Sequence, residues 1–248
     1  MERVLVVTGG SRGIGAAAAK IGARDGYKVA VNYNASPDRA EAVVAEIRAA
    51  GGTAVAIQAD VSTEEGATRL FAETDRQLGT LTALFNNAGI AMLAKPIEDY
   101  AVGELEQMWR VNITSQFLCA REAIRRMSTK HGGRGGAIVN MSSAAARLGG
   151  IGNQLAYGAS KGAIDTFTHG LALEVAPYGI RVNGVRPGII DTEIHDVMGV
   201  PDRVKKIGPT VPMGRAGSAE EVAETVIWLL SDRASYVTMS TLDISGGR

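Results

Sequence analysis

Seven short apolar runs punctuate the chain, and the stretches between them carry helical period. Residues 4–7, 29–31, 54–57, 83–85, 137–141, 180–182 and 242–244 are too short for helices and rich in β-branched side chains, so they read as buried strands. Between them Ile14, Ala17, Ala18 and Ile21 recur at i, i+3, i+4 and i+7. Ala40, Val43, Val44 and Ile47 do the same, and Val222, Val226, Leu229 and Leu230 form a similar stripe, each marking one apolar helix face. Ser218-Ala219-Glu220-Glu221 fits a capping box at the start of the last long helix. Strands alternating with helices predict a doubly wound α/β fold, a seven-stranded parallel sheet with helices on both faces. No repeat, composition shift or proline-rich linker divides the chain, which predicts one domain over residues 1–248. Glycine clusters at 132–136 and 149–152 mark loops, and the least regular stretch, 191–217, is expected to cover a substrate.

Composition adds mainly exclusions. Of 248 residues 46% are hydrophobic and 21% charged, enough for a large core, and 26 basic residues balance 26 acidic ones. That balance gives no reason to expect a nucleic-acid or membrane-surface partner. The single cysteine, Cys119, rules out an internal disulfide framework and reads as core filler. The N-terminal apolar run is too short for a signal peptide and no run of 18 apolar residues occurs, so a cytoplasmic protein is expected. No histidine, cysteine or carboxylate cluster has metal-ligand spacing, and no metal is expected.

Two patterns carry chemistry. Tyr157 and Lys161 stand four residues apart, which on a helix places a phenol and an ammonium on one face, and a cation lowers the pKa of a neighbouring phenol. The pair is a candidate general acid/base. Thr8-Gly9-Gly10-Ser11-Arg12-Gly13-Ile14-Gly15 joins the first strand to the first helix, where glycines let backbone amides approach a pyrophosphate at a helix N-terminus. The same stretch also spells G-x-S-x-G, the nucleophile elbow of serine hydrolases. Only one strand precedes Ser11, however, so there is no place for the oxyanion loop that an elbow needs, and His131, His169 and His195 read as structural or surface residues.

Four motifs in order, namely the Thr8–Gly15 loop, Asn86-Asn87-Ala88-Gly89 after the fourth strand, Ser142-Ser143 after the fifth and the Tyr157/Lys161 pair, make the chain resemble the short-chain dehydrogenase/reductase family over essentially its whole length. The resemblance implies a Rossmann fold and an oxidoreductase moving hydride between a nicotinamide dinucleotide and a carbonyl or secondary alcohol. It implies Asn112 as the holder of a relay water, Ser143 as hydrogen-bond donor to the substrate oxygen, Tyr157 as acid/base, and Lys161 as its pKa-lowering partner and ribose ligand. Ser142 competes with Ser143, since the interval to Tyr157 is one residue longer than is common. Implied cofactor contacts are Gly9, Ser11, Arg12, Gly13, Ile14 and Gly15 in the loop, Asn32, and Asp60 with Val61 after the third strand. Asn87, Ala88 and Gly89, the Tyr157/Lys161 pair itself, and Pro187, Gly188, Ile190 and Thr192 complete the set. The second strand ends in Val31-Asn32-Tyr33-Asn34 without the acidic residue that selects NAD, and Arg12 suits a phosphate, so NADP(H) is expected over NAD(H). The substrate is expected to be a small carbonyl or alcohol compound, with Arg203, Lys205 and Lys206 of the covering segment solvated. Arg121, Arg125, Arg126 and Lys130 could dock an acidic acyl carrier protein, although an exposed basic helix face is favoured. Members of the family that only sense dinucleotides usually lack part of the catalytic set, which is complete here. The resemblance also implies a homotetramer built on helices around 99–127 and 157–176.

Overall fold

The computed structural model describes residues 2–248, and the backbone alone at Asp196. Seven strands, β1 (Arg3–Val7), β2 (Tyr27–Tyr33), β3 (Thr53–Gln58), β4 (Ala83–Asn86), β5 (Gly136–Met141), β6 (Ile180–Pro187) and β7 (Thr241–Ile244), form one parallel sheet in the order β3-β2-β1-β4-β5-β6-β7. Successive side chains of a strand point to opposite faces. Leu5 and Val7 therefore enter one core, with residues of α1 (Gly13–Arg24), α2 (Pro37–Ala49) and α10 (Ala219–Leu230). Val4 and Val6 enter the other, beneath α3 (Glu64–Leu78), α5 (Ser115–Met127) and α7 (Leu155–Val175). Burial on both faces is why the strands are apolar throughout rather than alternating. The fold class expected from the pattern is the one observed.

The helical stripes land where their period places them: Ala17, Ala18 and Ile21, the Ala40, Val43, Val44 and Ile47 set, and Val222, Val226, Leu229 and Leu230 are buried, and Ile14 packs against the same core while partly exposed. The capping box forms in both directions, Glu221 N donating to Ser218 Oγ at 3.2 Å and Ser218 N to Glu221 Oε2 at 2.9 Å. Two regions differ from expectation. Strand β6 runs five residues past 182, because Asn183 donates to the Val237 carbonyl at 2.9 Å and Arg186 pairs with Asp165 at 2.8 Å, so polar side chains continue the strand. The stretch 99–127 is not one helix: α4 (Val102–Trp109) passes through a π turn (Arg110–Thr114) into α5.

Between β1, whose successors β2 and β3 lie to one side, and β4, whose successors lie to the other, the strand order reverses. Ligand clefts of open α/β sheets lie beyond the carboxyl ends of the strands at such a reversal. Over this end folds segment 191–217, anchored at its base by Asp191 N to Gly217 O and Gly217 N to Ile189 O, both 2.9 Å. It holds two short helices, α8 (Ile194–Val197) and α9 (Arg203–Ile207).

Candidate active site

The loop between β1 and α1 is shaped by its glycines. Gly13 has φ +52°, and a Cβ on Gly15 would lie 2.5 Å from the Gly9 carbonyl oxygen and 2.6 Å from Asn87 Nδ2. The first turn of α1 carries no acidic residue, leaving its open amides and dipole to favour an anion. Two asparagines hold the loop. Asn87 Nδ2 donates to the carbonyls of Thr8 (2.8 Å) and Gly9 (3.1 Å), and Asn32 Oδ1 accepts from Gly9 N at 3.2 Å. Asn32 also donates to the Ala59 carbonyl at 3.0 Å and is buried. Asn32, expected among the cofactor contacts, borders the cleft with its amide committed to the scaffold, and Asn34, Ala35 and Ser36 stand beside it at that end.

The cleft has a volume of about 540 Å³. Around it stand Gly9, the Ser11 to Gly15 loop, Asn32, Asp60, Val61, Asn87, Ala88, Gly89, Ser143, Tyr157, Lys161, Pro187, Gly188, Ile190 and Thr192. One oxygen of Asp60 is taken by the Ser62 hydroxyl at 2.6 Å, which caps the following turn while Asp60 still faces the cleft.

Asn112 is set behind the wall. It is fully buried in the π turn, its Oδ1 accepting from Ile90 N (2.7 Å) and its Nδ2 donating to Ile90 O (3.0 Å) and Ser160 Oγ (3.1 Å). A Cβ on Gly89 would lie 3.3 Å from Asn112 Oδ1 and 3.5 Å from Lys161 Nζ, so the two side chains flank that glycine.

Both serines border the cleft, but their hydroxyls differ. Ser142 is buried and donates to the Lys161 carbonyl at 3.1 Å, fixing α7 against β5, whereas Ser143 lies within hydrogen-bonding reach of Tyr157. Tyr157, partly exposed on the cleft floor, has its phenol pushed up by burial, with Ser143 and Arg203 opposing. This corrects the expectation that Lys161 sets the phenol's pKa downward. Lys161 Nζ lies 5.7 Å from the ring centroid, donates to the Met141 carbonyl at 2.8 Å, and is itself lowered to about 8 by burial. Burial is the largest influence on both groups.

At the mouth, Glu193 joins Arg39 at 2.6 Å and Arg12 at 3.5 Å. Arg39 was not singled out by the sequence, because it sits in the exposed face of α2, and only the packing of α2 beside segment 191–217 brings it to Arg12. The basic residues of α5 are already paired: Arg121 with Glu64 (2.8 Å), Arg125 with Glu122 (2.7 Å), Arg126 with Asp75 (2.7 Å).

The family model described as enoyl-(acyl carrier protein) reductase matches residues 9–248. The chain belongs to the short-chain dehydrogenase/reductase family. Similar to it are an uncharacterised oxidoreductase of Escherichia coli, 51% identical over 245 residues with 99% of each chain covered, and a 3-oxoacyl-[acyl-carrier-protein] reductase of Staphylococcus aureus, 38% identical with 100% and 98% covered. A short-chain type dehydrogenase/reductase from Mycobacterium marinum superimposes with a TM-score of 0.92 at 33% identity, covering 99% and 94%. This short-chain dehydrogenase/reductase is thus an oxidoreductase of carbonyl or alcohol groups, and its cofactor is a nicotinamide dinucleotide. The hydrolase reading of Ser11 finds no support. Among the described residues no helix is long and apolar enough to cross a membrane.

Proposed function

We propose that residues 1–248 act as one dinucleotide-binding domain that reduces the carbonyl of a small molecule with NADP(H) in preference to NAD(H), using Tyr157 as the general acid. The observation that carries this reading is the convergence of Ser143, Tyr157 and Lys161 on the floor of a cleft whose other end is a glycine loop and a helix N-terminus. The residues present fit the cofactor: Gly15 leaves no room for a side chain between the first turn of α1 and the loop, and the backbone amides of that loop would hold the pyrophosphate. When bound, the cofactor supplies the hydride that the carbonyl carbon receives.

Everything else falls to the chain. Ser143 donates a hydrogen bond to the carbonyl oxygen as negative charge develops there. Tyr157, a phenol protonated at neutral pH and held more firmly so by burial, delivers its proton to that oxygen. The Lys161 ammonium, held by the Met141 carbonyl, offsets the phenolate charge left behind. Asn112 acts as a positioning residue, fixing the turn at Ile90 beside Lys161.

Arg12 and Arg39, brought together on Glu193, support the NADP(H) preference, because two guanidiniums flank the adenosine end where no carboxylate ends β2. Stacked Phe117 and Phe167, 4.0 Å apart, with Phe117 50% and Leu173 61% exposed, support self-association of α5 and α7 into the tetramer. Ion pairing of the α5 arginines leaves little free positive charge for an acyl carrier protein. The buried, unpaired Cys119 agrees with a cytoplasmic setting.

A panel of ketones, diketones and thioesters run with NADPH and NADH in parallel tests the reading. Tyr157→Phe is expected to lower kcat/KM by roughly 10²- to 10⁴-fold while NADPH binding persists. A Tyr157→Phe enzyme indistinguishable from its parent refutes it. Loss of Arg12 and Arg39 together is expected to raise the NADPH KM about tenfold or more and leave NADH little changed.

A further inference from the structure

Beside the main cleft lies a second cavity of about 80 Å³, and Ser143 and Tyr157 line both. Its far wall carries two guanidinium side chains, Arg203 from α9 and Arg248 from the segment after β7. Neither forms an ion pair among the described residues, and Arg203 Nε is buried without a hydrogen-bond partner. The sequence suggests a solvated Arg203, grouped with Lys205 and Lys206. In the structure those two lysines are exposed, whereas Arg203 is half-buried and turned into the cavity. The remaining walls are mostly apolar, Leu148, Ile151, Ile189 and Met198 among them; Gln154 and His195 also border the cavity, and no aspartate or glutamate side chain does.

A buried donor without a partner carries a desolvation cost, and two like charges facing one small space add repulsion. Both are relieved by an anion, and a guanidinium is shaped to take a carboxylate or phosphate through paired N–H donors. Because the groups that hold the reacting oxygen also border this cavity, the anionic group belongs to the same molecule as the carbonyl and lies only a few bonds from it. The small volume admits a compact headgroup and not a second long chain.

We propose that the substrate is an anionic carbonyl compound, a short oxo acid or oxo phosphate, whose charged group is held by Arg203 and Arg248 while its carbonyl oxygen meets Ser143 and Tyr157. This rests on the reductase reading above and names the substrate class for that site. The bond changes are those of carbonyl reduction: hydride to carbon, proton from Tyr157 to oxygen, with the charged group unchanged.

The test compares matched pairs with NADPH, acetoacetate against methyl acetoacetate and dihydroxyacetone phosphate against dihydroxyacetone, so that the two pairs separate carboxylate from phosphate. The parent enzyme is expected to favour one anion over its neutral partner by about tenfold or more in kcat/KM. Arg203→Gln should lower that ratio roughly 10- to 100-fold, mainly through KM, with Arg203→Lys recovering part of it and Arg248→Gln acting in the same direction. Lys205→Gln, on the exposed side of the same helix, should leave the ratio as it is. Calorimetric titration of acetoacetate and of dihydroxyacetone phosphate into the NADP⁺-saturated protein reads the subsite without turnover. Arginine-dependent binding with no carbonyl reduced would uphold the subsite and remove the reductase reading. Neutral partners reduced as well as anions, with both ratios unmoved in Arg203→Gln and Arg248→Gln, would overturn the subsite and leave the reductase reading standing.

Discussion

Replacing Lys161 with methionine separates what this residue does for stability from what it does for function. The residue is 2% exposed, and burial lowers its pKa from an ordinary 10.5 to about 8. Keeping it charged at pH 7 therefore costs the folded state about 3 kcal/mol. Methionine removes that charge at similar length. The loss on the other side is one hydrogen bond, worth about 1 kcal/mol. The Met141 carbonyl keeps a second donor, Gln116 Nε2 at 3.3 Å, and Asp165 keeps its Arg186 partner at 2.8 Å. Lys161→Met is thus expected to be more stable at pH 7 by about 1 to 2 kcal/mol, a rise of roughly 3 to 6 °C in Tm, while reduction falls by orders of magnitude.

The pH dependence sharpens the test. The folded pKa of Lys161 lies below the unfolded one, so the unfolded chain holds more protons between pH 8 and 10.5 and the cost is lifted as pH rises through that window. The parent should gain on the variant from pH 8 upward, and the variant's advantage should shrink by pH 9.5. Tyr157 acts in the opposite sense above its ordinary pKa of 10.0, because its folded pKa is raised, but it is common to both proteins and the series stops below it. Thermal melts of both proteins at pH 7, 8.5 and 9.5 measure this. A variant less stable than its parent at pH 7, by an amount that does not change with pH, would refute the buried-charge account.

Three further expectations concern the scaffold and the serine pair. Gly15→Ala drives a methyl into the Gly9 carbonyl and the Asn87 amide, and should cost about 1 to 3 kcal/mol in stability and weaken NADPH binding, read by denaturant melts and by fluorescence titration. Ser142→Ala should lower stability by about 1 kcal/mol with kcat largely retained, whereas Ser143→Ala should do the reverse, losing roughly 10²-fold or more in kcat at near-parent stability; identical profiles would contradict their assignment. Ser218→Ala breaks the reciprocal cap of α10 and should cost about 1 kcal/mol without changing kcat/KM.

Much of this protein was legible because the signals are local. Strand runs and helical stripes report burial directly, since a parallel sheet sandwiched by helices must be apolar along its strands, and the glycine loop and the Tyr157/Lys161 spacing declare themselves within a few residues. Strand β6 was read short where Asn183 and Arg186 broke the pattern, because their partners, Val237 and Asp165, are distant in sequence.

The sequence by itself determined the order of elements, the family, and most of the residues that gather around one cleft, Asn112 standing behind its wall. Only the tertiary structure decided what those side chains are free to do. Asn32, Asn112 and Ser142 are hydrogen-bonded into the scaffold, burial rather than mutual charge governs Tyr157 and Lys161, and two residues that resemble ordinary surface are drawn in, Arg39 to Glu193 at the mouth of the cleft and Arg203 to the second cavity. The physical reason is that desolvation and hydrogen-bond partnership depend on atoms far apart along the chain, whereas periodicity and motif spacing depend on neighbours.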